Sequence, residues 1–387
     1  MRYLSLFSGI EAATQAWQPL GWECVAVSEI EPFPCAVLEH HYPHVPNLGD
    51  VTKITEQQIK DLGQIDLIVF GSPCQNLSVA GNRKGFEGEQ SSLFYAAMEI
   101  IKYAKRHCKT RFALWENVCG AFSSNKGADF TEVVKHMAGL SELDTPKNGW
   151  GKEGAAVGSN GLLEWSVLDA QWFGLAQRRK RVFAIVDFGE WASRPPILLE
   201  RESLRGDSAP SRETGQDFTA DAQTGFTKQG HRDYRNCGVG STCTAHQSKD
   251  CSDLIVCHGT QDPITNNETA YALGCNSGQE NVVALAVSDV CGTLTRSHGD
   301  RGVCMDSFAS GQCAIGKGYV RRLTPIECER LQGFPDDFTK IPYRNKPADE
   351  CPNGVRYKAL GNSMAVNVMA WIGQKIQQAV AIKVYGV

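Results

Sequence analysis

The sequence predicts an α/β fold in which an open sheet carries helices, followed by a smaller β-rich segment. Apolar runs of strand length alternate with helical segments in the first half of the chain. Polar residues suited to chemistry directly follow several of these runs. The composition changes near Asp187, after which Gly, Ser, Thr, Cys and Asn are frequent up to about Val320. These three observations predict a catalytic α/β part and a second, β-rich part.

Composition restricts the possible classes of protein. The 387 residues are 42% hydrophobic and 21% charged, which is typical of a globular protein large enough for two domains. The formal net charge is −4, so any nucleic acid must meet locally concentrated positive charge, as in Arg178–Arg181. No apolar run approaches the roughly 20 residues that cross a bilayer, and no signal peptide is evident. We expect an intracellular, cytoplasmic protein without membrane contact.

The 15 cysteines include no Cys-x-x-Cys spacing, and their odd number fits poorly with a complete disulfide framework. We therefore expect reduced thiols and no metal. A zinc site among Cys237, Cys243, Cys251 and Cys257 is the alternative, although its spacings do not match common zinc modules.

The first strand, Tyr3–Phe7, is followed by a glycine turn at Gly9 and a helix over Glu11–Trp17. This arrangement brings bare backbone close to a nucleotide-like ligand. Glu29 ends the second apolar run about 20 residues after Gly9, where a carboxylate suits ribose hydroxyls. Asp50 offers a second acceptor. No lysine is placed to bind phosphate, so the pattern favours a nucleoside without phosphates.

Cys74 lies just beyond the strand Asp66–Phe70, at the edge where open α/β sheets bind ligands. A cysteine there can act as a nucleophile if its thiolate is stabilised, and the alternative is an inert residue closing a turn. The glycine-rich stretch 75–92 predicts a lid whose Arg83 and Lys84 reach phosphates, with a solvated surface loop as the alternative.

Glu116 ends the strand Phe112–Trp115 and is predicted on the same rim as Cys74. Partial burial would raise its pKa and suit it to acid/base work, although a structural role is the alternative. Side chains alternate along the later strand, 177–185. One face therefore carries Gln177, Arg179 and Arg181, which can hold an anion or a base edge, and the other carries Arg178 and Lys180.

Several other segments have clear signals. Helices are predicted over Ser92–Tyr103 and Ala128–Met137, a loop over Asn148–Gly161, and a strand over Trp165–Ala170. A later helix is expected to begin at Thr324 and to end at Gly333. The last helix, Met364–Ile376, is expected to be capped by Asn362 and to pack on the first domain through Val366, Met369, Ala370 and Ile376.

The motifs and their order along the chain resemble those of the DNA cytosine-5 methyltransferase family, most of all its phage and bacterial members. The matching pieces are Phe7-Ser8-Gly9, Pro73-Cys74-Gln75, Glu116-Asn117-Val118, the Gln-x-Arg-x-Arg strand at 177–181, Gly333-Phe334-Pro335 and Gly361-Asn362-Ser363. The resemblance implies a Rossmann-like S-adenosylmethionine-dependent methyltransferase domain with a smaller β-rich target-recognition domain. Two departures are Glu11, where the family usually has glycine, and Gln90, where it often has arginine.

The resemblance also implies a set of site residues. The catalytic residues would be Cys74, Glu116, Arg179 and Arg181. The residues that bind S-adenosylmethionine would be Phe7, Gly9, Ile10, Glu29, Ile30, Asp50, Val51, Pro73, Asn362 and Ser363. DNA would contact Gln75, Arg83, Lys84 and Gln177. The Cys74 thiolate would attack carbon 6 of a flipped-out cytosine while Glu116 donates to ring nitrogen 3, and carbon 5 would take the methyl group.

The expected catalytic domain spans 1–186 and is completed by the C-terminal helix at 356–387, with a target-recognition domain over 187–355. The expected partner is double-stranded DNA, bound by a monomer that acts with or without a separate restriction endonuclease. The alternatives are an RNA cytosine-5 methyltransferase acting on transfer RNA, since one branch of the family does so, and a non-catalytic DNA-binding regulator. A cysteine hydrolase is disfavoured because no histidine falls at a matching strand end.

Overall fold

The computed structural model describes residues 1–72, 91–199, 225–228, 234–236, 253–258 and 318–381. Its larger sheet has seven strands in the order β2-β1-β3-β4-β7-β6-β5. The strands are β1 Arg2–Leu6, β2 Glu23–Ser28, β3 Leu67–Phe70, β4 Phe112–Val118, β5 Glu153–Gly158, β6 Gly161–Asp169 and β7 Lys180–Asp187.

The first four strands are parallel, and β7, β6 and β5 continue the sheet in antiparallel pairing. The chain moves from β1 outward to β2 and then returns to the other side of β1 with β3. This reversal creates a crevice at the carboxyl ends of the parallel strands, which is the usual ligand position in open α/β sheets. The predicted fold class is confirmed.

Helices cover both faces of this sheet. They are α1 Ala12–Trp17, α2 Pro32–His41, α3 Glu56–Asp61, α4 Ser91–His107, α5 Ala128–Ala138, α6 Pro325–Gln332, α7 Asn353–Asn362 and α8 Val366–Ala381. Alternate residues of each strand point to opposite faces. Leu114 therefore joins the core beneath α1 and α8, whereas its neighbour Trp115 joins the core beneath α4 and α5.

The capping of α6 and the packing of α8 on the first domain agree with the predictions from the sequence. Thr324 accepts a hydrogen bond from the Glu327 amide and its own amide donates to the Glu327 carboxylate, while Gly333 ends α6 at φ 82°. The Trp17 indole donates to the Met369 carbonyl at 2.7 Å, so α8 packs on α1 as predicted.

Two local predictions are wrong. Asn362 does not cap α8, because it is the last residue of α7 and α8 begins only at Val366. The predicted loop 148–161 contains β5, whose glycines and alanines give little strand propensity. Pairing with β6 decides the conformation, and a Cβ at Gly154 would lie 2.3 Å from the Trp165 ring. Glycine is required there by close packing.

The structure also revises the predicted boundary at 187–355. Leu323, Leu331 and Phe338 belong to the same hydrophobic cluster as Tyr3 of β1, and so do Ile197 and Leu198. The segments flanking the β-rich part therefore pack with the first domain. Between them lies a four-stranded antiparallel sheet in the order β11-β10-β8-β9. Its strands are β8 Gly225–Lys228, β9 Tyr234–Asn236, β10 Asp253–His258 and β11 Gly318–Arg322.

Two further findings apply only to the described part of the chain. None of its helices combines the length and the apolar composition needed to span a membrane. Its His, Cys, Asp and Glu side chains form no group of three or more that could hold a metal ion. The side chains of the four cysteines weighed as zinc ligands lie outside this description.

Candidate active site

The loop between β1 and α1 has an unusual backbone. Phe7, Gly9 and Glu11 all have positive φ, at 55°, 56° and 63°. The Gly9 amide donates to Glu29 Oε2 at 2.8 Å, and the Ser8 amide donates to the Ser28 carbonyl at 3.1 Å. These bonds fasten the loop to the end of β2, so it presents its backbone at the crevice edge.

Two acidic side chains follow the neighbouring strand and turn. Glu29 Oε1 accepts from the amides of Ile30 and Glu31, each at 2.8 Å, which fixes its carboxylate. The Thr52 hydroxyl and amide both donate to Asp50, and these bonds lower the Asp50 pKa. Ile30 lies between these acceptors and is 67% exposed. Fixed acceptors beside an uncovered apolar surface suit the hydroxyls and flat base of a nucleoside.

These groups border a cavity of about 700 Å³ at the carboxyl ends of the parallel strands. It brings together many of the residues singled out in the sequence: Phe7, Gly9, Glu29, Ile30, Asp50, Val51, Glu116, Arg179, Arg181 and Asn362. A ligand of nucleoside size fits this volume, since small-molecule sites usually measure about 300–1,000 Å³.

Glu116 lies at the inner wall of the cavity near the end of β4. Its side chain is 13% exposed, and Arg181 Nε lies 3.3 Å from Glu116 Oε1. Burial raises the pKa of Glu116, although Arg181 and Arg179 act in the opposite direction. A carboxyl group in this setting is suited to donate a proton.

Arg179 is buried and connects the β7 region to the end of α7. Its Nη2 donates to the Gly361 carbonyl at 3.2 Å and to the Ser363 carbonyl at 2.6 Å. Arg178 and Lys180 are exposed, so the predicted alternation of faces is confirmed. The arginine is thereby fixed at the cavity wall, with its backbone partners on a segment almost 200 residues away in the sequence.

The end of β3 is held against β4. The Trp115 indole donates to Ser72 Oγ at 3.1 Å, and the Asn117 amide donates to the Ser72 carbonyl at 2.7 Å. A Cβ at Gly71 would lie 3.5 Å from Glu116 Oε2. Gly71 and Ser72, the residues that immediately precede the predicted nucleophile motif in the sequence, therefore lie against β4, with Gly71 beside Glu116. Pro73, Cys74, Gln75, Arg83 and Lys84, with the rest of the predicted lid, lie outside the described residues.

Three sequence-predicted site residues are placed differently from expectation. Ile10 is fully buried in the core and does not line the cavity. Ser363 borders only a smaller adjoining cavity. Gln177 is fully buried, and its amide donates to the Leu331 carbonyl at 2.7 Å. A DNA contact for Gln177 is therefore not supported, because its side chain joins the segment before β7 to α6.

The outer wall of the cavity consists of residues that the sequence did not mark as functional. Tyr343, Arg344 and Lys358 line it, and Lys358 Nζ lies 2.9 Å from Glu31 Oε2. Tyr343 and Arg344 were not considered for this cavity because residues 187–355 were assigned to another domain. No local signal marks them, since their position depends on packing between distant segments.

A family model described as C-5 cytosine-specific DNA methylase matches residues 1–188 and 200–378. The chain belongs to this family. Its resemblance to cytosine-5 methyltransferases, stated from the motifs alone, is confirmed, and so is its assignment as a methyltransferase of this class.

Named relatives cover nearly the whole chain. A protein of Escherichia phage P1, named DNA N-6-adenine-methyltransferase, is 32% identical over 98% of this chain, which spans only 61% of that relative. The type II methyltransferase M.HhaI of Haemophilus parahaemolyticus is 24% identical over 100% of this chain and 97% of its own length.

Solved structures show the same fold. The S. pombe Dnmt2 methyltransferase superposes with a TM-score of 0.58 and 16% sequence identity, covering 97% of this chain and 98% of the other. This likeness agrees with a Rossmann-like methyltransferase sheet.

Proposed function

We propose that the protein methylates carbon 5 of a cytosine flipped out of duplex DNA, with S-adenosylmethionine as the methyl donor. The observation that carries this proposal is a single cavity lined by Glu116, whose pKa burial raises, and by the acceptors Glu29 and Asp50. When bound, S-adenosylmethionine supplies the methyl group. Glu29, Ile30, Asp50, Val51 and the loop carrying Phe7 and Gly9 would hold its nucleoside part, with Asn362 and Pro73 beside them.

The protein's own groups would activate the base. The Cys74 thiolate forms a bond to carbon 6, and Glu116 gives its proton to ring nitrogen 3, so that negative charge does not accumulate on the ring. Arg181 holds the Glu116 carboxyl in place, and Arg179 fixes this wall to the end of α7. Carbon 5 then takes the methyl group and gives its proton to water. The bond from Cys74 to carbon 6 breaks as the 5,6 double bond re-forms, and ring nitrogen 3 returns its proton to Glu116, which restores the thiolate and the acid.

Substrate and partners extend the proposal beyond the catalytic site. The β-rich part around β8–β11 would read the target sequence from base edges in the major groove. Gln75, Arg83 and Lys84 would contact DNA close to the flipped base. We propose that the protein acts as a monomer on DNA in the cytoplasm of a bacterial or phage-infected cell, with or without a separate restriction endonuclease.

Covalent trapping tests the chemistry. Cys74→Ser is expected to bind S-adenosylmethionine with unchanged Kd but to form no stable adduct with DNA containing 5-fluorocytosine, because the attacking thiolate is gone. Denaturing gels measure the adduct, and Cys35→Ser, at a partly exposed cysteine outside the proposed chemistry, is the control expected to trap normally. Ordinary trapping by Cys74→Ser would refute the nucleophile assignment.

The modified base identifies the substrate. Duplex DNA and transfer RNA are each incubated with labelled S-adenosylmethionine, digested and analysed by mass spectrometry. We expect 5-methylcytosine in duplex DNA. N6-methyladenine, the product suggested by the name of the phage P1 relative, or methylation confined to transfer RNA would overturn the proposal.

A further inference from the structure

Glu11 is the last residue of the loop that joins β1 to α1, and it is buried, with 1% of its surface exposed. Its Oε2 accepts from Ser5 Oγ at 2.7 Å, and its Oε1 accepts from Thr14 Oγ1 at 3.2 Å. The carboxyl group thus binds both elements that the loop connects. The catalytic steps proposed above do not use it.

The surroundings of Glu11 hold weakly acidic groups. Tyr3 on β1, Cys24 on β2 and Tyr42 after α2 face it, and burial raises the pKa of each, with the charge of Glu11 raising it further. No ion pair of the described residues includes Glu11. Burial raises the Glu11 pKa to about 7, because an ionised carboxylate loses water there without gaining a cation.

A small cavity of about 50 Å³ adjoins the large one beneath the loop. Its lining includes Gly9, Glu11, Glu116 and Asn362. Gly9, Glu116 and Asn362 also line the large cavity. Glu116 therefore borders both cavities, and Glu11 borders the small one next to the space proposed for the methyl donor.

We propose that Glu11 makes this site select S-adenosylmethionine over S-adenosylhomocysteine, the product left after methyl transfer. The inference rests on the proposed function. The two molecules share their nucleoside and amino acid parts, but the donor carries a sulfonium cation where the product has a neutral thioether. An ionised Glu11 attracts that additional charge across a water-poor region. Once the methyl group has been transferred, the attraction disappears and product release is favoured.

Calorimetry on the full chain tests this selection through the ratio of the two Kd values, product over donor. The ratio is expected to rise about fivefold between pH 5.5 and pH 7.5 in the wild type, the size expected for a unit charge acting over roughly 15 Å at an effective dielectric constant near 20. Glu11→Gln, which resembles the protonated form, is expected to keep the low-pH ratio throughout. The control Glu39→Gln, which removes an exposed carboxylate from α2, is expected to follow the wild type.

Glu116→Gln separates the two carboxyl groups and is expected to retain the pH-dependent rise. A flat wild-type ratio overturns the inference, as does a rise that persists in Glu11→Gln or disappears in Glu116→Gln. If Glu11→Gln does not fold, the wild type and Glu116→Gln still decide the outcome. If the protein methylates cytosine but its ratio of Kd values does not change with pH, only this inference is overturned. If the protein binds neither S-adenosylmethionine nor S-adenosylhomocysteine, the proposed function is overturned as well.

Discussion

At the scale of single residues, burial gives similar carboxyl groups different roles. Asp50 is held ionised by hydrogen bonds from Thr52 at the cavity rim, where it can accept. Glu116 is enclosed at the inner wall, where burial favours its protonated form. The same functional group, a carboxyl, can therefore supply a binding acceptor at one position and a proton donor at another.

Glu116→Gln is expected to lower kcat about 10²- to 10⁴-fold, because the amide cannot deliver a proton to the base. In the wild type, the acid form is present below the raised pKa, so kcat should fall as pH rises through it. Incorporation of labelled methyl groups across pH measures both effects. Glu99→Gln, at a half-exposed site on α4, is the control expected to be unaffected. Full turnover by Glu116→Gln would exclude the proton-donor role.

At the scale of elements, α8 completes the first domain by packing on α1. Gly373 faces Trp17, and a Cβ at Gly373 would lie 2.6 Å from two atoms of the indole ring. Trp17 is fully buried and its indole already donates to the Met369 carbonyl. The ring therefore has no room to move away from an added methyl group.

Gly373→Ala is expected to lower the free energy of unfolding by roughly 1–3 kcal/mol through overpacking. Gly354→Ala is a matched helical control in α7, because a Cβ there meets nothing within 4 Å. That control is expected to be neutral or to stabilise by up to about 1 kcal/mol. Urea unfolding measures both variants, and equal stabilities would contradict the packing of α8 on Trp17.

At the scale of the whole molecule, charge is unevenly distributed. The formal net charge is −4, and the four basic residues of the cavity lining are matched by four acidic ones, whereas Arg178 and Lys180 form an exposed basic pair at the start of β7. A polyanion can bind such a face despite the overall negative charge, because screening limits repulsion from distant acidic groups to roughly 10 Å.

Affinity for duplex DNA is expected to fall as salt rises, with log K against log salt giving a slope of about −0.9 for each phosphate neutralised. Fluorescence anisotropy at several salt concentrations measures this slope. Lys180→Gln is expected to make it shallower by about one phosphate contact. A slope near zero in the wild type would exclude a DNA-binding face of this kind.

Global stability should depend on Glu11. Its pKa is raised from 4.5 to about 7 on folding, so its contribution is fully present below pH 4.5 and is lost as pH rises towards 7. The free energy of unfolding is expected to lose up to ~3 kcal/mol across this range relative to Glu11→Gln. Denaturant unfolding at pH 5 and pH 8 measures the difference, and parallel pH profiles would contradict a buried, titrating Glu11.

Two features could be read from the sequence alone: strands alternate with helices in the first half of the chain, and particular polar residues follow the parallel strands. Glu29, Asp50 and Glu116 could be assigned to one rim because the carboxyl ends of parallel strands share an edge. The capping residues of α6 were equally readable, since a helix end depends on neighbours within a few positions.

Contacts between distant segments could be read only from the folded chain. Residues 323–355 join the first domain, Gln177 is buried against α6, and Glu11 lies among side chains from β1, β2 and α1. The outer cavity wall at Tyr343 and Arg344 also depends on packing between distant segments. Burial and pKa depend on contacts between residues far apart in the chain, and no local pattern of residue types records those contacts.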